Sequence, residues 1–434
     1  MRRLHVLLGD ELVAVLTQTD GGEHRLQYAG EGAAELSVAL PVREAPYTGR
    51  QVDPYLEGLL PDRTGVREAL AQRFDVSPRN PFALLEHIGL DCAGAVRFAT
   101  DADLPAALTD DGGLTALDDD ALADRLRALE AGREPSWVAP GEGWSLAGAQ
   151  TKIALRRQGG TWFEAHGSEP TTHILKPGIT GMKEQALGER LCLAAIRRAG
   201  LPAVATSYEA VGNAEVVVVE RYDRAVRPGG GVVRLHQEDL CQATSTYPRR
   251  RYESAGGPGA PRLIELLGDA CTDSGASVRR FVDGLIANVL LGAPDAHSKN
   301  YSILHVAGHR VLAPLYDVAS GLPYTRGAAS FGSSGGDAPW RTSAMSIGGE
   351  RELARIGGAQ WEQLARDAQL ARRARMDGAA VVDRVAELSR VLPQALSDVV
   401  AAERADNPAM AGKEIPSRLL DTVAVRCEEA RALL

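Results

Sequence analysis

Pro294-Asp295-Ala296-His297-Ser298-Lys299-Asn300 is the stretch on which the reading of this 434-residue chain turns. It sets a carboxylate and a carboxamide five positions apart, directly after the apolar run 281–291. A second carboxylate, in Tyr316-Asp317-Val318, follows seventeen positions after Asn300. Phosphoryl transfer from a metal–ATP complex uses such a set. One Asp orients the attacking hydroxyl, while an Asn and a second Asp offer oxygens to Mg²⁺. The spacing predicts a kinase, with Asp295 as base and Asn300 and Asp317 as metal ligands.

Upstream residues extend the pattern. Lys176 closes a predicted strand at 173–176, where it could pair with ATP phosphates as a point charge. A helix predicted over 184–199, closed by Gly200, offers Glu189 or Glu184 to hold that lysine. Glu189, about one and a half turns into the helix, is the expected partner. Four consecutive valines in 215–220 predict a buried strand ending at a hinge between lobes. Backbone groups from Glu220 to Tyr222 could there meet an adenine edge. Before the first strand of this half lies Ser145-Leu146-Ala147-Gly148-Ala149-Gln150-Thr151-Lys152. Small residues at Ala147, Gly148 and Ala149, with Gln150 and Lys152, suit a backbone cradle for phosphate, although the GxxxxGK[ST] spacing is missing. Flanking the base, His297 could brace the loop and Lys299 could neutralise the transferring group. A structural role is equally open for those two.

Bulk properties narrow the class. The chain is long enough for two or three domains, and its 44% hydrophobic and 24% charged content is that of a globular protein. A net charge of −9 argues against direct wrapping of nucleic acid, which needs clustered cations. Arg249-Arg250-Arg251 and Arg372-Arg373 read as solvated surface. No run of about 18 apolar residues predicts a membrane helix, and Asp10 interrupts the first apolar run too early for a signal peptide. Five scattered cysteines suggest reduced thiols in a cytoplasm and carry no zinc spacing. His305 and His309 lack an HExxH helix, and no GxSxG elbow supports a hydrolase.

The expected organisation has four parts. Residues 1–100 form a small accessory α/β module, with a hairpin of 5–8 and 12–18 about Gly9-Asp10, a strand at 35–40, and helices at 54–61 and 66–74. Residues 101–140 read as a linker, from Asp110-Asp111-Gly112-Gly113, Asp118-Asp119-Asp120 and Pro135 around one helix at 121–129. Residues 141–223 form a strand-rich, ATP-binding lobe, with strands at 152–156 and 161–164 about Gln158-Gly159-Gly160. Residues 224–434 are mostly helical, including 277–291 and 381–405, with Gly256-Gly257-Pro258-Gly259 as a turn before a helix at 262–267. The predicted fold class is α/β (α+β): a two-lobed protein-kinase-like fold with a small N-terminal accessory domain and a mostly helical C-terminal lobe.

In this order, these residues resemble the HipA family of bacterial toxin serine/threonine kinases. The stretch 145–152, Thr171-Thr172-His173-Ile174-Leu175-Lys176 and Val219-Glu220-Arg221-Tyr222-Asp223-Arg224 carry the likeness on the nucleotide side. His236-Gln237-Glu238-Asp239-Leu240-Cys241-Gln242, Tyr252-Glu253-Ser254-Ala255-Gly256-Gly257-Pro258-Gly259, 295–300 and Leu315-Tyr316-Asp317-Val318 carry it further on. Gly58-Leu59-Leu60-Pro61-Asp62 and Ile88-Gly89-Leu90-Asp91-Cys92-Ala93-Gly94-Ala95-Val96 extend it to the first domain. The resemblance implies an ATP- and Mg²⁺-dependent protein kinase, the toxin of a toxin–antitoxin pair. It implies a small helix-turn-helix antitoxin as partner, DNA reached only through that antitoxin, and an aminoacyl-tRNA synthetase among family substrates. It assigns Lys176 to ATP phosphate, Asp295 to the base, Asn300 and Asp317 to metal, and Ser145 to an inhibitory autophosphorylation site. Thr151, Pro294 and Gly188 depart from the residues common in the family, and leave open how the 145–152 loop is held. A small-molecule phosphotransferase of the same fold and a non-catalytic co-repressor subunit are the rival functions. The joint presence of Lys176, Asp295, Asn300 and Asp317 argues against the second.

Overall fold

The computed structural model describes residues 1–109, 111–132, 137–228, 231–324 and 339–434. The N-terminal module starts with β1 (Arg2–Leu8) and β2 (Glu11–Gln18), an antiparallel pair turning at Gly9, whose φ of 58° is left-handed. The module continues with β3 (His24–Tyr28), β4 (Tyr47–Thr48), α1 (Gly49–Leu59), α2 (Thr64–Phe74), α3 (Pro81–Ile88), β5 (Asp91–Cys92) and β6 (Val96–Ala99). Its sheet runs β4-β3-β2-β1-β6. The first helix begins at Gly49, ahead of the expected boundary at Pro54. Val52, Leu56 and Leu59 recur at helical spacing and bury one face, and Pro54 is absorbed inside the helix. The strand expected at 35–40 is absent. A turn bridged at Ser37 and Leu40 stands there instead. The Val38 N–H donates to Glu238 Oε1 at 2.9 Å, so a side-chain carboxylate takes a donor that a neighbouring strand would have needed.

The stretch expected as a linker is built into the next sheet. It carries α4 (Leu104–Leu108), β7 (Gly112–Leu117) and α5 (Asp119–Glu130). Asp118 caps α5 by accepting from the Ala121 N–H, and Leu122, Leu126 and Leu129 bury its apolar face. Acidic and glycine clusters thus mark a helix cap and an edge strand. Asp110 and Pro135 of that expectation lie outside the described residues. The strand-rich half follows as β8 (Trp144–Ser145), β9 (Ile153–Gln158), β10 (Thr161–Gly167), β11 (His173–Lys176), α6 (Gln185–Arg198), β12 (Thr206–Val211) and β13 (Ala214–Glu220). Its sheet runs β12-β13-β11-β9-β10-β7, and β8 pairs in parallel with β5.

The helical half begins with short strands β14 (Arg224–Val226), β15 (Val232–Arg234) and β16 (His236–Asp239), then α7 (Ala260–Ala270) and α8 (Ser274–Leu291). A hairpin, β17 (Ser302–Val306) and β18 (His309–Leu312), precedes β19 (Thr342–Ile347) and β20 (Glu350–Glu352). Helices α9 (Gly358–Asp367), α10 (Leu370–Ala374), α11 (Gly378–Asp406) and α12 (Ile415–Ala432) complete it. One core links α6 of the strand-rich half to α8, α11 and α12, through Leu191, Phe281, Leu392 and Leu419 among others. Helix α8 stops at Gly292, φ 60°, where a Cβ would stand 2.3 Å from Leu322. Only glycine fits that left-handed cap, and it delivers the chain into Asp295.

A buried ionic cluster binds the N-terminal module to the end of β13. Asp91 Oδ1 lies 2.8 Å from Arg224 and 3.1 Å from Arg234, and Asp91 Oδ2 lies 3.2 Å from Arg221. Burial opposes the charge on Asp91, yet the three guanidinium groups and Thr171 hold its carboxyl well below the usual range. All five cysteines are buried and free. Among the described residues no helix is long and apolar enough to cross a membrane.

Candidate active site

A cleft of about 490 Å³ opens between the two halves, and Lys176, Lys152, Asp295, Asn300 and Asp317 all line it. Strand β11 places Lys176. Its register opposite Val217 of β13 buries the stem and turns the ammonium inward. Lys176 Nζ lies 2.7 Å from Glu189 Oε1 and 2.6 Å from Asp317 Oδ1. Glu189, on α6, is 1% exposed. Glu184 is engaged elsewhere: it accepts the Glu414 and Ile415 N–H groups at the start of α12, so Glu189 is the partner of Lys176. Burial alone would lower the ammonium pKa, but Asp317 and Glu189 outweigh it and hold Lys176 charged. Burial raises Glu189 even with Lys176 beside it. Asp317 feels the same burial, but Lys176 and Lys152 bring it down to about 2, making it the firm anion of the group. Its backbone φ of 58° is left-handed, uncommon for a non-glycine residue.

The decisive stretch forms a tight loop. The His297 N–H donates to Asp295 O at 2.8 Å, and the Asn300 N–H to His297 O at 2.9 Å. Asn300 Nδ2 donates to Asp295 O at 2.7 Å, and the oxygen of the same carboxamide is the atom with which it could meet a cation. Asp295 Oδ1 accepts from the Tyr252 hydroxyl. Its carboxylate is one-third open to the cleft but deep within the molecule, and that burial pushes it up to about 7 against the pull of Tyr252. His297 Nε2 is 3.6 Å from Asp295, too long for a hydrogen bond. Burial drives His297 down to about 3, so it is neutral, and its ring packs edge-on against Tyr252 at 4.7 Å. Lys299, expected to neutralise the transferring group, is paired with Asp62 at 2.9 Å.

Across the cleft, Ser145 lies in β8 with 0% exposure, and its hydroxyl donates to Leu59 O at 2.8 Å. Lys152 Nζ donates to Ala147 O at 2.6 Å and folds the loop over itself. Gly148 stands at φ 108°, a backbone conformation that side-chain-bearing residues rarely adopt, which is why glycine suits the position. Burial, then Lys176, lower Lys152 to about 8. Gln150 bonds Gln185 at 3.2 Å, and Arg63 donates to the Thr151 hydroxyl at 3.1 Å. Arg63 thus meets the loop at the position where Thr151 departs from the family pattern. At the hinge, Glu220 N and Arg221 N donate to Ala205 O and Thr172 O, so those two amides are committed within the fold. An apolar slot remains beside them, lined by Ile174, Val204 and Val219 with the stacked rings of Tyr222 and Tyr316. The Tyr222 hydroxyl donates to Gln237.

Four cleft residues escaped the reading of spacing: Asp62, Asp239, Arg251 and Tyr252. Arg251 was expected at the solvated surface with Arg249 and Arg250. Those two are exposed, but Arg251 lies 3.5 Å from Asp62 with 21% of its side chain open, because the turn after residue 250 points it inward. Arg373 likewise departs from expectation: α10 packs it against Asp269 at 2.7 Å with 13% exposure. Asp239 is pushed up to about 7 by burial and accepts from the Gln242 N–H. Tyr252 and Asp62 fall inside stretches that carry the family resemblance, and that was the only sequence signal for them.

A strand-rich lobe with a Lys–Glu pair, facing a helical lobe with an Asp, an Asn and a second Asp, defines a serine/threonine-kinase-type phosphotransferase. The HipA-like C-terminal domain family matches residues 144–394 and the HipA N-terminal domain family matches residues 4–99; the chain belongs to the HipA family. Y4mE of Sinorhizobium fredii, named as a candidate kinase, is 33% identical over 377 residues, covering 85% of this chain and 86% of that protein. The serine/threonine-protein kinase toxin HipA of Shewanella oneidensis is 27% identical over 339 residues, covering 73% and 75%. A solved structure of the Shewanella oneidensis MR-1 toxin–antitoxin system, HipA with HipB and operator DNA, has the same fold. Its TM-score is 0.82 at 24% identity, with 99% of this chain and 98% of that chain covered.

Proposed function

We propose that the chain is the kinase toxin of a toxin–antitoxin pair and transfers the γ-phosphoryl group of ATP to a serine or threonine hydroxyl of a cytoplasmic protein. The observation that carries this reading is Asp295 standing across one cleft from the Lys176–Glu189–Asp317 chain. The tyrosine-walled slot at the hinge suits the adenine ring. Lys176 and Lys152 line the path of the phosphates, where their cations offset the negative charge. The Asp317 carboxylate and the Asn300 carboxamide oxygen fit a hard dication, which prefers oxygen donors, and they would hold Mg²⁺. A dication held by these two residues would supply positive charge to offset that of the transferring phosphate. Asp295 accepts the proton of the acceptor hydroxyl, which takes the place that the Tyr252 hydroxyl occupies on Oδ1. Neutral His297 packs against Tyr252 and keeps the loop in place.

The relative solved with HipB and operator DNA supports a small helix-turn-helix antitoxin as partner. DNA is then reached through that partner, in keeping with a net charge of −9, which argues against direct wrapping of nucleic acid. The proposed substrate is an aminoacyl-tRNA synthetase, whose modification stops translation. Ser145 is the proposed inhibitory autophosphorylation site. A dianion is strongly disfavoured at a fully buried position facing Leu59 O, so phosphorylation there would eject the loop from the cleft or dock it against basic groups. The test incubates the chain with Mg–ATP and a panel of bacterial aminoacyl-tRNA synthetases and maps phosphate by mass spectrometry. Phosphoserine or phosphothreonine on one synthetase, and on Ser145, is expected. Transfer confined to small alcohols would replace this reading with a small-molecule phosphotransferase.

A further inference from the structure

The N-terminal module reaches into the cleft with one residue that touches both of its loops. The Asp62 N–H donates to Gly148 O at 3.1 Å, and the neighbouring Pro61 bridges Gly148 in parallel. The Asp62 carboxylate meets Lys299 Nζ at 2.9 and 3.2 Å and lies 3.5 Å from Arg251. Its backbone therefore holds the glycine loop of the strand-rich half, while its side chain holds the catalytic loop of the helical half. Both partners of the ion pair are buried, with side-chain exposures of 7% for Asp62 and 4% for Lys299. Neither charge is stable there alone, since a buried ion without a partner is strongly unfavourable. Lys299 sits in the short turn Ser298–Asn300, immediately before the metal-ligand candidate and four positions after the base. Fixing its ammonium fixes that turn, and the turn sets the Asn300 carboxamide against Asp295 O.

We infer that Asp62 is a positioning residue for phosphoryl transfer, which makes the N-terminal module part of the catalytic unit. The inference rests on the kinase reading above. Asp62 acts through Lys299: it holds the turn that aims Asn300 and Asp295, and it ties that turn to the loop over the phosphates. Displacement of a catalytic group by about 1 Å can lower a rate roughly 100-fold, so a carboxylate remote from the reacting atoms has leverage on kcat.

The test uses the full chain with Asp62→Asn, Asp62→Glu, Lys299→Met and the Asp62→Asn/Lys299→Met pair. The readout is labelled phosphate leaving γ-labelled Mg–ATP, counted on protein and in solution, with the ATP KM determined alongside. Asp62→Asn is expected to lower kcat roughly 10–100-fold with little change in KM, and Asp62→Glu to recover part of the loss. The double variant should fall no further than the weaker single variant, as residues acting through one contact do. Unchanged kcat in Asp62→Asn, a loss confined to KM, or losses that multiply would overturn the inference. Amide hydrogen exchange without nucleotide supplies a readout independent of activity. Asp62→Asn removes the carboxylate and keeps the backbone bond to Gly148, so it should speed exchange in 295–300 more than in 147–151, and unchanged protection in 295–300 would overturn the inference. A wild-type chain that moves no phosphate would defeat the kinase reading instead, with exchange in 295–300 still deciding whether the Asp62 carboxylate holds the catalytic loop.

Discussion

The ammonium of Lys176 lies 2.6 Å from Asp317, a residue 141 positions further along the chain and in the opposite half of the molecule. The same ammonium holds Glu189 at 2.7 Å. One cation thus joins β11, α6 and the metal-ligand candidate. Lys176→Met should lower phosphate transfer by roughly two to three orders of magnitude, the range seen when a preorganised charge is removed from a transition state. Glu189→Gln should lose less, because Asp317 still holds the ammonium. The kcat/KM for ATP of both variants, measured with their melting temperatures, checks the order.

Asp91 faces Arg221, Arg224 and Arg234 at once, and Asp223 also meets Arg221 and Arg224. Asp91→Ala should destabilise the chain by about 3–5 kcal/mol, because breaking a buried pair leaves uncompensated charge. Denaturant unfolding monitored by tryptophan fluorescence measures it. A loss below about 1 kcal/mol would show that the arginines redistribute onto Asp223.

His236 joins the module to the helical half, bonding Leu36 O at 2.8 Å and facing the His305 ring at 4.9 Å. Burial, then His305, lower its pKa to about 4 in the folded chain, against about 6.5 unfolded. The unfolded state therefore binds more protons between those values. Stability is fully present above about pH 6.5 and declines as pH falls toward 4, by at most about 1.4 kcal/mol per pH unit from this group. His173, lowered to about 4 mainly by burial, acts in the same direction. Denaturant midpoints at pH 7.5 and pH 5 should show the decline, and His236→Gln should flatten it.

Ser145→Asp places a carboxylate at a fully buried site opposite a carbonyl oxygen. ATP affinity should fall by about tenfold or more, and the 145–152 loop should become open to protease. Ser145→Ala removes one hydrogen bond, worth about 1 kcal/mol, and should keep ATP binding. Nucleotide titration with limited proteolysis separates the two.

Local chemistry made much of this legible. The valines of β13, the Gly9 turn and the spacing from Asp295 to Asn300 each carry their structure in a few adjacent residues. Choosing Glu189 over Glu184 needed only helical geometry. What stayed hidden depends on contacts between distant segments. Asp62 meets Lys299 across 237 positions, and no local pattern announces that pairing. Tyr252 reaches Asp295 across 43 positions from a turn whose visible signal was its glycines. Residues 101–140 looked like a linker because glycine and aspartate clusters mark caps and edge strands as well as loops. Pairing of β7 with β10 decided between those meanings.

The central claim is that Asp295 serves as the base for phosphoryl transfer at a metal–ATP site. The direct measurement is transfer from γ-labelled Mg–ATP by Asp295→Asn beside the wild-type chain, with ATP affinity measured on both. Loss of transfer with ATP affinity within about threefold of wild type is the predicted result, since the change removes the proton acceptor and leaves Lys176 and Asp317 in place. Transfer at the wild-type rate would contradict the assignment.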